Sequence, residues 1–236
     1  MKNFNSFAIV LITIFTLGSG ARAQQTVFNV PTADVLNRGK AYFELDVSVK
    51  PNDQDALQKF SSFVPRFVVG VGSNVEVGLN VLGNIQPGAD NTTLVGAVKW
   101  RFYQNEKNGW SAFTGCHLYI PVKNKSYDVG TYTYLAVAKT INKTRLTAGG
   151  YVASKNVFAP NAVRGGGQFG FEQTVTSKLN INADWFTGKN ASGYLTTGAA
   201  YKLTKKLTGV AAYSFGNANL SKGNHYMYFE LGYNFN

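Results

Sequence analysis

Two histidines, His117 and His225, are the whole imidazole inventory of the chain. Nucleophilic catalysis by serine needs a histidine within hydrogen-bond reach and a third group to orient it. His117 shares a strand face with Phe113 and Tyr119, the face read below as interior. An enzyme acting on membrane lipid needs its histidine on the outer face. His225 falls in a long connection or at its edge. Neither is assigned a catalytic role, so a lipid-modifying enzyme is the least favoured reading. Gly165-Gly166-Gly167 lacks the Lys-Ser/Thr of a phosphate-binding loop and reads as a flexible entry to a strand. The single cysteine, Cys116, has no partner for an internal disulfide. No Cys/His cluster has metal-ligand spacing, and no cofactor is expected.

The ionic residues are more informative. Along the first half of the chain, Glu44 and Asp46 are followed by Arg66, then Glu76, then Lys99 and Arg101; further on come Arg145, Glu172, Asp184, Lys202 and Glu230. Acidic and basic segments alternate. Folding each hairpin about its loop brings Asp46 near Arg66 and Glu76 roughly opposite Lys99. Opposite charges across neighbouring strands stabilise a sheet modestly. Such a wall lets a polar interior coexist with folding, and it also sets a transverse field that orients polar solutes at a constriction. The candidate pore-lining residues are therefore Glu44, Asp46, Arg66, Glu76, Lys99, Arg101, Glu172, Asp184, Lys202 and Glu230.

The elements that must position these side chains are short alternating runs. They read as twelve strands near 40–50, 61–71, 75–84, 92–104, 110–121, 131–140, 145–154, 166–175, 179–187, 194–203, 207–215 and 226–236. Their connections alternate in length. Gly72-Ser73-Asn74, residues 105–109, residues 141–144, Thr176-Ser177-Lys178 and Thr204-Lys205-Lys206 are short, while most of the intervening joints are longer. A transmembrane barrel has this asymmetry, with short periplasmic turns and longer outer loops. An even strand count puts both termini on the periplasmic side.

One-residue alternation assigns the faces. Phe43, Leu45, Val47 and Val49 alternate with Tyr42, Glu44, Asp46 and Ser48, and Phe229, Leu231, Tyr233 and Phe235 alternate with Tyr228, Glu230, Gly232 and Asn234. The polar sets are costly in lipid, so they face the lumen. Phe102, Trp110, Tyr201, Tyr233 and Phe235 gather near the short-turn end, as an interfacial girdle requires.

The N-terminus carries Lys2, an apolar run from Phe7 to Leu17, and Ala21-Arg22-Ala23, the order of a cleaved secretory signal peptide, with Ser19-x-Ala21 as an alternative cleavage site. Without residues 1–23 the chain keeps 21 basic residues against 12 acidic ones. Export and the scatter of these charges argue against nucleic acid as a partner. Lipopolysaccharide phosphates or small anionic solutes fit better. The expected organisation is a signal peptide over 1–23, a periplasmic N-terminal segment over 24–38 and an all-β, antiparallel up-and-down transmembrane barrel over 39–236.

The closing run Tyr228-Phe229-Glu230-Leu231-Gly232-Tyr233-Asn234-Phe235-Asn236 resembles the last strand of bacterial outer-membrane barrels. Those strands usually end on an aromatic residue, whereas Phe235 is penultimate here. The opening Val30-Pro31-Thr32-Ala33-Asp34-Val35-Leu36 resembles the start of porin-like proteins. The resemblance implies recognition by the barrel-assembly machinery and a place in the outer membrane of a Gram-negative cell, and it names no substrate. The functional expectation is a porin-like channel for passive diffusion of small hydrophilic solutes, with at most a mild anion preference. The alternative is a non-conducting structural or adhesive barrel, whose lumen would be blocked by side chains or by residues 24–38.

Overall fold

The computed structural model describes residues 26–49, 61–82, 92–122 and 128–235. The signal-peptide expectation over 1–23 and the loop over 85–91 lie outside them. Twelve strands run in order as β1 (Ala41–Val49), β2 (Ser61–Gly72), β3 (Val75–Leu82), β4 (Thr93–Asn105), β5 (Trp110–Pro121), β6 (Gly130–Ile141), β7 (Thr144–Ala153), β8 (Gly165–Thr174), β9 (Leu179–Phe186), β10 (Tyr194–Lys202), β11 (Leu207–Gly216) and β12 (His225–Asn234). Each pairs antiparallel with its sequence neighbours, and β12 returns to β1 to close the barrel. The seam is in full register from Tyr42 opposite Asn234 to Val49 opposite Met227. Closure removes the unpaired edges that would otherwise invite aggregation.

The alternation places large apolar side chains outward. Phe67, Leu79, Trp100, Leu135, Val152, Ile181, Phe229 and Leu231 are all exposed on the outer face. A band of this size on a water-soluble protein would be an association surface; on a membrane barrel it is the lipid contact. Aromatic pairs mark both ends of the band. Trp100 lies 5.5 Å from Phe102, and Tyr233 lies 5.1 Å from Phe235, near the short turns. Phe169 stacks 5.8 Å from Trp185, and Tyr213 lies 5.0 Å from Phe215, nearer the long loops.

The short turns have local causes. Ser73 and Asn74 both take left-handed backbone, φ 52° and 58°, the two-residue hairpin geometry whose twist matches its strands. β2 and β4 are irregular at Gly70/Gly72 and Arg101/Tyr103, close to the same end. Such bulges sharpen the local twist where strands meet turns.

Residues 26–36 run inside the barrel, and Asn37 and Arg38 are exposed at its short-turn mouth. Val27, Phe28, Val30 and Thr32 are at most 1 % exposed, and Ala33 and Leu36 are buried. The chain reverses at Gly39, φ 76°, and enters β1 at the short-turn end. Arg38 forms a parallel bridge with Gly70, tied by hydrogen bonds from Gly39 N–H to the Gly70 carbonyl (2.8 Å) and from Gly70 N–H to the Lys40 carbonyl (3.0 Å). Gly70 has to be glycine here. A Cβ at this position would stand 2.2 Å from the Asn37 carbonyl oxygen and 2.3 Å from that of Leu36.

Candidate functional site

Among the described residues, the buried ionic side chains collect in the lumen. Glu44 and Asp46 of β1, Glu76 of β3, Lys99 of β4, Glu172 of β8, Asp184 of β9 and Glu230 of β12 are all buried. Arg66 of β2 and Arg101 of β4 share the inner face as partly buried side chains, and so does Lys202 at the short-turn end of β10. They fall into separate groups.

On one side of the barrel the charges pair within the wall. Glu76 stands opposite Lys99 in the register, and their ion pair measures 2.8 Å. Arg66 reaches Glu44 at 2.6 Å and Asp46 at 3.3 Å. Glu230 joins Glu44 and Asp46 so that one oxygen from each lies within 4.8 Å of the others. The Tyr42 and Tyr228 hydroxyls both donate to Glu230, each at 3.3 Å. Burying charges this deeply costs several kcal/mol per ion unless each is paired and hydrogen-bonded, so the groups hold one another in place.

On the other side the wall is aromatic. Tyr132 stacks on Tyr151 at 5.6 Å, Phe186 meets Tyr151 edge-on at 5.3 Å, and Phe113 meets Tyr134 at 6.2 Å. The Tyr132 hydroxyl donates to Gln168 Oε1 (3.1 Å), and the Tyr151 hydroxyl donates to the Thr187 carbonyl (2.5 Å). Ring burial is favourable here because the polar tips find partners.

Residues 26–38 complete both sides. Val30 and Ala33 pack into the cluster of Phe113, Tyr132, Tyr134, Tyr151 and Phe186. Val27 and Phe28 pack with Ala200, Val210, Tyr226 and Tyr228. Leu36 packs with Tyr42 and Val68. Polar latches run in parallel. Oδ2 of Asp184 accepts the backbone N–H groups of Phe28 (3.0 Å), Asn29 (2.6 Å) and Val30 (2.8 Å). Glu76 Oε2 accepts the Leu36 N–H at 2.9 Å. Arg145 Nη1 bonds Asp34 at 2.8 Å while its other nitrogens grip Glu172 at 2.5 and 2.7 Å. Arg101 donates to the Ala33 carbonyl (3.4 Å) and to Asn74 Oδ1 (3.0 Å). A carboxylate that collects three N–H groups is strongly solvated by the backbone, so Asp184 acts as an anchor. Lys202 stands apart from these groups.

The sequence reading paired Asp46 with Arg66 and Glu76 with Lys99. It missed Asp34 as a partner of Arg145, the anchoring contacts of Asp184, and the aromatic side of the lumen. The available signals were Val27, Phe28 and Val30 close together ahead of the first strand, and tyrosines at alternate positions 132 and 134. His117 faces inward between Tyr132 (5.3 Å) and Tyr134 (6.0 Å). His225 pairs through Nδ1 with the Tyr213 hydroxyl, on the outer side of the seam between β11 and β12. The two histidines thus lie on opposite faces of the wall. Cys116 is also on the outer face and accepts from Thr133 Oγ1 at 3.6 Å.

No family model and no curated protein matches the sequence. Solved structures match in shape. The KdgM porin in complex with disordered oligogalacturonate superposes with a TM-score of 0.56 at 10 % identity, covering 83 % of this chain and 98 % of the porin. An active-site mutant of outer membrane phospholipase A from Escherichia coli superposes with a TM-score of 0.50 at 11 % identity, covering 86 % of this chain and 91 % of the phospholipase. One of these proteins is a channel and the other an enzyme, so the likeness carries the architecture alone: the chain has the closed, twelve-stranded antiparallel fold of outer-membrane barrels.

Proposed function

We propose that the protein is an outer-membrane channel of the porin type for small hydrophilic solutes, held closed by its own N-terminal segment. The observation that carries this reading is the seating of residues 26–38 on both sides of the lumen, with Asp184, Glu76, Arg145 and Arg101 all bonded to it. Polar latches at several heights suit a part that must come and go. The opposing terms are of one kind with those of folding. Each fully buried Val or Phe contributes roughly 1.5–3 kcal/mol, while ordering the segment costs conformational entropy residue by residue. The outer apolar band and the export signal over 1–23, cut after Ala23, support an outer-membrane location. The C-terminal strand would then be the handle for the assembly machinery, and the outer face would meet lipid and lipopolysaccharide.

With the segment withdrawn, the inner wall carries Glu44, Asp46, Glu76, Glu172, Asp184 and Glu230 against Arg66, Lys99, Arg101, Arg145 and Lys202. This is close to balance, so any anion preference is mild. It comes from turn lysines such as Lys107, Lys143 and Lys178 at the mouth, where 0.1 M salt screens charges beyond about 10 Å.

A second reading, a non-conducting structural barrel, is favoured by the apolar packing of Val27, Phe28 and Val30, which resembles a permanent core. Conductance in planar bilayers separates the two. The mature chain is expected to be closed at rest, and a variant lacking residues 24–38 is expected to conduct steadily. A shortened barrel that keeps its heat-modifiable gel mobility and stays silent makes the segment a core element and the barrel structural. Steady conduction by the mature chain would overturn closure by the segment.

A further inference from the structure

The inner wall has a hollow where two small residues meet. Gly78 of β3 stands opposite Ala97 of β4, between Val68 of β2 and His117 of β5 in the same inward-facing row. One row toward the short turns lie Glu76 and Lys99, and one row toward the long loops lie Arg66 and Asn80. The inserted segment roofs the hollow with Thr26, Asn29 and Pro31, and the cavity between them measures about 70 Å³.

The lining is two-sided. Pro31, Val68 and Ala97 present an apolar side, and Asn29, Asn80, Arg66 and Lys99 a polar one. The charges are matched already: Arg66 is paired with Glu44 and Asp46, and Lys99 with Glu76. A charged guest would unbalance buried ions that hold one another in place, so the guest that fits is neutral. The hydrogen bonds are not all matched. Asn80 is 7 % exposed, and its Oδ1 accepts no hydrogen bond. Arg66 Nε donates none. Both side chains border the cavity. One atom wants a donor and the other an acceptor, and a hydroxyl group is both. Water is both as well, but it leaves the apolar side of the lining without a partner. A short carbon chain carrying hydroxyls matches the two sides together. The space holds about five water-sized groups at about 15 Å³ apiece.

We propose that this cavity binds a neutral polyol of about three carbons, and that the bound polyol keeps the segment seated, because the segment forms part of its site. The site rests on the seating of residues 26–36; its effect on conduction rests also on the channel reading above. A ligand that binds only the seated form favours that form by one plus the ratio of its concentration to its dissociation constant. The polyol is then a closing signal, the reverse of a solute that opens its own path.

The probe is glycerol, added at millimolar concentration to the mature barrel in detergent. The readout is cleavage within residues 26–36 by a low-specificity protease, in urea just below the barrel's own transition. Cleavage requires the segment to leave its seat, so it is expected to slow saturably, by about elevenfold at about ten times the half-saturating concentration. Sorbitol, with twice the carbons, is expected to do nothing at equal concentration. Asn80→Leu removes the orphaned acceptor at similar volume, so it is expected to fold without loss of stability and to lose the response to glycerol. Ala97→Leu fills the hollow and is expected to lose it too. Cleavage that ignores glycerol overturns the proposal. So does slowing that sorbitol matches or that survives in Asn80→Leu, since exclusion of osmolytes from the protein surface then accounts for it. In planar bilayers glycerol is expected to make any openings of the mature chain rarer. Steady conduction with protection by glycerol intact refutes closure and upholds the site, whereas a closed channel without protection refutes the site alone.

Discussion

Two arcs of the inner wall solve the burial problem differently. On β12 and β1–β4, charged side chains pair within the wall, as in Glu76–Lys99 and Arg66–Glu44. On β5–β9, one ion pair, Arg145–Glu172, stands beside stacked rings from Phe113 to Phe186 that depend on Val30 and Ala33 of the inserted segment to complete their cluster. The ionic arc is nearly self-sufficient, and the aromatic arc is finished only when the segment is seated. A lumen can therefore be polar in composition and still be packed like a core.

The comparison breaks most visibly at Asp184, the anionic anchor on the aromatic side. Asp184→Ala leaves the N–H groups of Phe28, Asn29 and Val30 without their acceptor, at roughly 1–3 kcal/mol for each stranded donor. The segment is expected to become sensitive to limited proteolysis while the barrel keeps its heat-modifiable mobility. Unchanged resistance would mean that ring packing and the remaining latches at Glu76, Arg145 and Arg101 suffice to hold it. Next is Lys99→Met, which isolates buried Glu76 and is expected to cost about 3–5 kcal/mol in urea unfolding. The double variant Glu76→Gln, Lys99→Met should recover most of that loss. If it does not, the pair contributes through the Leu36 N–H rather than through charge.

Gly70→Ala tests the junction between segment and wall. Its Cβ meets two carbonyl oxygens, and overpacking of this kind costs about 1–3 kcal/mol. Faster amide exchange is expected at Gly39 and Lys40, with exchange along β12 unchanged. Tyr132→Phe removes only the hydroxyl bonded to Gln168. A loss of about 1 kcal/mol in the urea midpoint is expected, and a larger one would show that the aromatic arc is itself a hydrogen-bonded network.

The barrel was legible because a period of two needs only local information. Every strand begins and ends within two residues of its expected place, and alternation at Tyr42, Glu44 and Asp46 assigns the inner face at once. Glu76–Lys99 followed from the same register, because a hairpin pairs residues that are near in sequence, and Arg66 does reach Asp46, although the residue directly opposite Arg66 is Glu44. The segment over 26–38 has no such period. Its contacts span long separations, Asp34 to Arg145 or Phe28 to Asp184, and nothing local encodes them. β6 and β7 are rich in Ala, Gly and Thr, which weakens their alternation, yet inward-facing Tyr132, Tyr134 and Tyr151 sit on them. A small residue on the neighbouring β5 makes room: a Cβ at Gly115 would stand 2.3 Å from the Tyr134 hydroxyl.

The bridge at Arg38 and Gly70 also determines how the molecule bears load. A pull on the N-terminus toward the short-turn mouth meets the latches one after another, from the Asp184 anchor down to the Leu36 contact, so they peel singly. The same pull runs along the axis of β1, across ladder bonds to β2 and β12 that share it as shear. Bonds broken one at a time yield at lower force than bonds that share a load, so under the proposed closure a pull would draw the segment out on its Gly39 turn before it parted the seam.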